Sequence, residues 1–355
     1  MQVDYIIIGG GISGSFLSYY LLKEGKTVLV IDDEKPNAAT RVASGVINPV
    51  TGRRVVSTWM IDDLLPFIWD AYNEMSHALQ EQIITQKNVL AFPASFEMKE
   101  AYNKRLLEEN SFIKPVAIEK EKEMTSFFNF IFSCVEISPA YLINLHTLLQ
   151  KWKEKLLSTN SLLIEVFDES HLQIKDEFVL YKNIAAQKII YCNGIAAYSS
   201  PYWKNLPATF IKGEALIAQI NDLPTNNIYK IGSLMLTPWY NDLWWIGSSY
   251  ENNYADDTPT GLFRKQKLQE LSMFLKSDLK IQDQVSSIRP ATVERRPFAG
   301  LHPQHINIGI LNGMGTKGCS LAPWFAKQFA KHLVHETAID PTVDVKRFTR
   351  LLSRI

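Results

Sequence analysis

The chain has 355 residues, 46% of them hydrophobic, enough for a large buried core and, by length, about two domains. Its 37 lysines and arginines balance 37 aspartates and glutamates, so no global field draws a polyanion such as tRNA or an acidic membrane onto the surface. Cys134, Cys192 and Cys319 are scattered without CxxC spacing, and the apolar N-terminal run lacks a basic leader and breaks at glycines, which argues against a disulfide framework, a zinc site, a signal segment and a membrane span, and for a cytoplasmic protein.

Val3 to Ile8 is a run of β-formers that enters Gly9-Gly10-Gly11-Ile12-Ser13-Gly14, a G-x-G-x-x-G pattern on Gly9, Gly11 and Gly14. Phe16, Leu17, Tyr20 and Leu21 then recur at helical spacing, Gly25 stops the helix, and Lys26 to Asp32 reads as the next parallel strand of a βαβ unit. Gly9 permits the tight turn, Gly11 lets backbone approach a pyrophosphate, and Gly14 allows close helix–strand packing. Ile12 and Ser13 open the helix, whose free N–H groups and partial positive charge suit phosphate. Asp32, followed by Asp33, ends the second strand where a carboxylate accepts hydrogen bonds from ribose hydroxyls. The unit reads as dinucleotide-binding but does not by itself separate NAD from FAD.

Farther along, the segment Ile137 to Gln150 resumes helical patterning, and Lys188 to Gly194 (KIIYCNG) is an apolar strand ending in a turn. In LMLTPWYNDLWWIGSSY, Asn241-Asp242 between two β-rich runs predicts a hairpin, with Trp244 and Trp245 on opposite faces. Arg53 and Arg54 suit an acidic substrate tail or a solvated loop. Near the C-terminus a strand pattern over His305 to Ile310 meets a second glycine turn, Gly313, Gly315 and Gly318, and then Leu321, Phe325, Phe329 and Leu333 mark one helix face. No G-K-[ST] follows, so a phosphate loop of the Walker type is excluded. What remains is a helix start beside Lys317, suited to the negative charge that reduced flavin develops, an interaction of about 0.3–1 kcal/mol. One flavin dinucleotide is long enough to use both turns. His332 and His335 share a helix face without a third ligand, so no metal site is expected.

Five segments in this order, IIIGGGISG with Asp32, ATRVASGVINP, KIIYCNG followed by IKGE, WWIGSSYE, and IRPATVERRPFAG leading into NGMGTKG, resemble the FAD-dependent oxidoreductases of the D-amino-acid oxidase and glycine oxidase type. The resemblance implies an α/β protein: a Rossmann-like FAD/NAD(P)-binding domain assembled from discontinuous segments (1–85, 138–207 and 285–355), plus an α+β substrate domain with a mainly antiparallel sheet (86–137 and 208–284). It places Arg41, Ala43 and Ser44 along the FAD pyrophosphate and ribityl chain and Gly45, Val46, Ile47 and Asn48 beside the flavin ring. It sets Val166 against the adenine, Cys192, Asn193 and Gly194 at the strand end that shields it, and Gly313, Met314, Gly315, Thr316, Lys317 and Gly318 at the ring. Arg289 of the Arg-Pro pair takes the substrate carboxylate, Pro290 fixes its direction, and Tyr250 is the candidate pocket wall. An arginine outside such a family would as readily pair with a nearby acid such as Glu294.

The chain departs from the pattern at Met235, where glycine oxidase-like members carry a tyrosine, at Lys317, where Arg or Asn is usual, and at Glu294, commonly Asp. These departures point away from simple glycine or D-amino acids. No cysteine occupies the position of covalent flavin attachment, so FAD is expected to be noncovalent. The implied activity is oxidation of the C–N bond of an amino acid or secondary amine by hydride transfer to flavin N5, followed by imine hydrolysis. An FAD dehydrogenase of a 2-hydroxy acid and a tRNA aminomethyluridine-type oxidase domain are the alternatives; the neutral charge balance disfavours a nucleic-acid partner.

Overall fold

The strand Gln2–Ile8 is buried on both faces, with Tyr5 and Ile7 packed among helices and Ile6 and Ile8 in the opposite layer, which is why it reads as a continuous apolar run. It pairs in parallel with Val28–Asp32 and with Ile184–Tyr191. Leu162–Ile164 extends one side in parallel and Ile308–Asn312 the other, and antiparallel strands finish an eight-stranded sheet. The computed structural model describes residues 1–52, 54–108 and 112–354; Arg53 lies outside them.

Helix Ile12–Lys23 is buried from Ile12 through Leu21 and so has no polar face, packing against both the sheet and the C-terminal helix Gly318–His335, which also reaches the sheet. Gly25, at φ +73°, ends it as expected. Leu321, Phe325 and Phe329 are buried and Leu333 partly so, as their spacing predicts. The helical pattern expected from Ile137 is corrected: Tyr141–Ile143 is a strand between Val46–Ile47 and Ile84–Gln86, and the helix starts at Leu145, capped by Asn144, whose side chain accepts from Thr147 N–H. Sheet pairing outweighs helical spacing in that stretch.

A second eight-stranded sheet runs in the order Leu279–Thr292, Ala208–Ile220, Trp244–Gly247, Leu234–Pro238, Ile228–Ile231, Val89–Phe92, Val135–Ile137 and Ile113–Pro115. All its pairings are antiparallel except that of Ile228–Ile231 with Val89–Phe92. The predicted hairpin is present, and Asn241 and Asp242 both take φ +57°, the left-handed conformation such turns require. Trp244 joins the core behind the sheet, whereas Trp245 faces forward and donates from Nε1 to the Val42 carbonyl at 2.9 Å. Strand Leu279–Thr292 runs without a break through the 284/285 junction.

Candidate active site

Both glycine turns open on one cavity of about 570 Å³. At the first, Gly9 takes φ +96°, and a Cβ there would lie 2.7 Å from the Asn193 Cα; a Cβ on Gly14 would lie 1.9 Å from the Gly9 carbonyl oxygen. Gly14 therefore serves helix–strand packing and is set back from the wall, while Gly9, Gly11, Ile12 and Ser13 line it. The helix that starts here has no capping side chain and no acidic residue in its first turn. Thr40 Oγ1 takes the Ile12 N–H at 3.1 Å, and the rest of the helix start is available to an anion.

Asp32 and Asp33 stand on the same wall. The Asp32 carboxylate accepts from Gly10 N–H and, at 2.6 Å, from Glu34 N–H, which ties the acid to the first turn and leaves lone pairs for a hydroxyl. Arg41 is not brought to the cavity. Its guanidinium lies 3.7 Å from both Asp32 and Glu34, drawn by those carboxylates into a separate small pocket behind the acid. Val166 lines the cavity, but from the loop just beyond the strand Leu162–Ile164 rather than within it.

Ala43, Ser44, Gly45 and Val46 line the middle of the cavity, where Gly45 takes φ +80° and a Cβ would meet the Ile143 carbonyl at 2.1 Å. Ile47 is core, and Asn48 turns its Oδ1 to the Val50 N–H at 3.1 Å, so neither reaches the wall. Cys192, Asn193 and Gly194 do. Asn193 Oδ1 itself is buried and has no hydrogen-bond partner among the described residues. Asn312 Nδ2 donates to the Gly194 carbonyl at 2.8 Å and thereby joins the two turns.

At the second turn Met314, Gly315, Thr316 and Gly318 line the cavity, while Gly313 is set back against Thr292. Lys317, expected at the ring, is not among the residues that line the cavity; it precedes helix Gly318–His335, whose start again has no capping side chain and no acid in its first turn. Its ammonium has no carboxylate partner among the described residues. Burial, and then the nearby Lys230 ammonium, push its pKa down to about 8, against a smaller upward pull from Cys319.

Arg289 lies on the cavity wall. Its head rests over Gly213, where a Cβ would come within 1.8 Å of the guanidinium, and it donates to Ser248 Oγ at 2.9 Å and the Ser249 carbonyl at 3.2 Å. Burial lowers its pKa, with Tyr250 opposing. No acid pairs with it among the described residues; Glu294 instead accepts from Arg347 at 3.2 Å. Tyr250 is not brought to the wall: it is 59% exposed, on the outer side of the stretch that bridges back through Glu251 to Lys212. Arg54 is exposed, and Met235 faces forward beside Lys230.

Several wall residues carry no sequence signal. Lys35 and Asn37 at the dinucleotide end are met by Asp257 from a distant loop, at 3.3 and 2.7 Å. Among the described residues no cluster of three metal-binding side chains occurs, and no helix is long and apolar enough to cross a membrane.

A cavity with uncapped helix starts at two points and, on the covering sheet, a guanidinium with no acid partner among the described residues fits an elongated dinucleotide and an anionic partner. Comparison with known proteins agrees. The glycine oxidase of Bacillus subtilis is 21% identical over 342 residues, 90% of each chain. The structure of glycine oxidase from Bacillus cereus superposes with TM-score 0.79 at 16% identity, covering 95% of this chain and 96% of that one. Iminodiacetate oxidase from a Chelativorans species gives TM-score 0.77 at 18% identity, covering 95% and 97%. With residues 4–332 matching the family described as FAD dependent oxidoreductase (DAO), the chain belongs to that family of flavoenzymes.

Proposed function

We propose that the protein oxidises the C–N bond of an amino acid or secondary amine whose carboxylate is held by Arg289. The observation that carries this reading is the partly buried guanidinium on the cavity wall with no acid of its own among the described residues. Ser248 and Ser249 take only two of its five N–H donors and hold the fork in one orientation, leaving donors free for a bidentate carboxylate. Gly9, Gly11, Ile12 and Ser13 at the first turn and Met314, Gly315 and Thr316 at the second would hold FAD, which would supply the two-electron acceptor for the substrate hydride at N5; water would then hydrolyse the imine released from the substrate. The relatives named for glycine and iminodiacetate oxidation act, by those names, on amines bearing carboxylates, which supports the same class here.

The binding of FAD is noncovalent in this reading. Cys192 and Cys319 line the cavity, but burial raises both thiols, Cys319 to about 12, so neither offers a thiolate at neutral pH. Residues 1–85, 138–207 and 285–355 would hold the cofactor and 86–137 and 208–284 would cover the substrate, a division that the two large sheets follow except at strand Leu279–Thr292, which belongs whole to the second sheet and crosses the 284/285 boundary.

Anaerobic mixing of the FAD-loaded protein with D-, L- and N-alkyl amino acids tests the proposal. Bleaching of oxidised flavin by at least one of them is expected, and unchanged absorbance throughout overturns it. Arg289→Ala removes a charge-assisted interaction of about 1.5–3 kcal/mol, so KM for the active substrate should rise about ten- to hundredfold.

A further inference from the structure

The sheet face that covers the cavity carries a second cation. Direct cross-strand partners share a face, as do residues two apart on one strand. By these registers Arg289 and Val285 on one strand share a face with Gly213 and Ala215 on the next, then with Gly247, Met235 and finally Lys230. Trp245 lies on this face and lines the cavity, whereas Trp244, Leu236 and Tyr229 belong to the core behind the sheet. Gly213, Ala215 and Gly247 give the face a low floor. Because the Arg289 head rests over Gly213, the span from it to the strand of Lys230 is about three strand spacings, roughly 14 Å.

Lys230 is half-buried, and its ammonium donates to the Tyr102 hydroxyl at 3.3 Å. It has no ion-pair partner among the described residues, and burial alone lowers its proton affinity. Its charge reaches Lys317 at the second glycine turn. Lys230 thus keeps a positive charge in a half-buried position with no acid paired to it among the described residues, an arrangement that costs free energy until an anion joins it.

We propose that Lys230 forms a second anion subsite that selects substrates bearing a second carboxylate, a glutamate-sized or N-carboxyalkyl amino acid whose α-carboxylate rests on Arg289. This rests on the amine-oxidation reading above. Met235 between the two cationic ends supplies an apolar wall for the connecting carbons.

The FAD-loaded protein is titrated with glutarate by flavin difference absorbance. It is then reacted anaerobically with both enantiomers of glutamate and glutamine and with N-carboxymethyl amino acids. The acid should bind at least about tenfold more tightly than its isosteric amide. Lys230→Gln should cut that acid-to-amide ratio, and the affinity for glutarate, by about tenfold, and Lys230→Arg should retain most of both. Equal binding of acid and amide, or a ratio unchanged in Lys230→Gln, overturns the subsite. If glutarate binds in a Lys230-dependent way but no amine bleaches the flavin, the subsite stands and the redox reading fails; if amines bleach the flavin without acid preference, the redox reading stands and the subsite fails.

Discussion

Lys317 puts a positive charge at the start of a helix, where the macrodipole already concentrates partial positive charge, and does so beside a second lysine. In the ligand-free protein this is unfavourable. A lysine whose pKa is lowered on folding opposes stability fully below the folded value, and the penalty fades as pH rises from about 8 toward the ordinary value of 10.5. Lys317→Met should therefore raise the Tm of the apoprotein, by ~2 °C for each kcal/mol recovered, with the gain largest at pH 7 and small at pH 10 by scanning calorimetry. Arg289 is legible in the sequence because it sits in an Arg-Pro pair within an ordered set of motifs. Its seat over Gly213 is not, since that depends on the pairing of strands far apart in sequence. Lys230 is invisible for the same reason: in IYKIGS it reads as the polar member of an alternating strand.

The elements that can be read in advance are those whose geometry is local. Gly14 is needed because strand and helix touch there, and no partner elsewhere in the chain alters that requirement; Gly9 carries a local signal in its φ of +96°, although the backbone that crowds it, at Asn193, is distant in sequence. Gly14→Ala forces a methyl into the Gly9 carbonyl, so the variant should either fail to fold or retain less than about a tenth of the flavin, measured as the ratio of visible to ultraviolet absorbance. Elements decided by distant partners depart from their sequence patterns. Tyr141–Ile143 lies in a helical pattern but is claimed by two strands, and Arg41 lies in a motif expected along the cofactor but is drawn off by Asp32 and Glu34.

Across the whole molecule, the loop that follows the substrate-side strand Trp244–Gly247 crosses to the dinucleotide end and latches there through Asp257. Each contact is partly exposed and worth about 0.2–1 kcal/mol. Asp257→Ala should weaken FAD binding by about two- to tenfold in a fluorescence titration of the apoprotein, while leaving the KM ratio between amine substrates in place. The same breadth of organisation limits how the enzyme can breathe. The strands Ala208–Ile220 and Leu279–Thr292 form one long ladder rooted beside the second glycine turn, where Gly315 approaches Ala291. Both strands belong to the covering sheet and would travel together in a rigid swing, so such a swing has to part the contact at this root; Arg289, two residues from Ala291 on the same strand, is thereby tethered near the second turn rather than carried on a free edge.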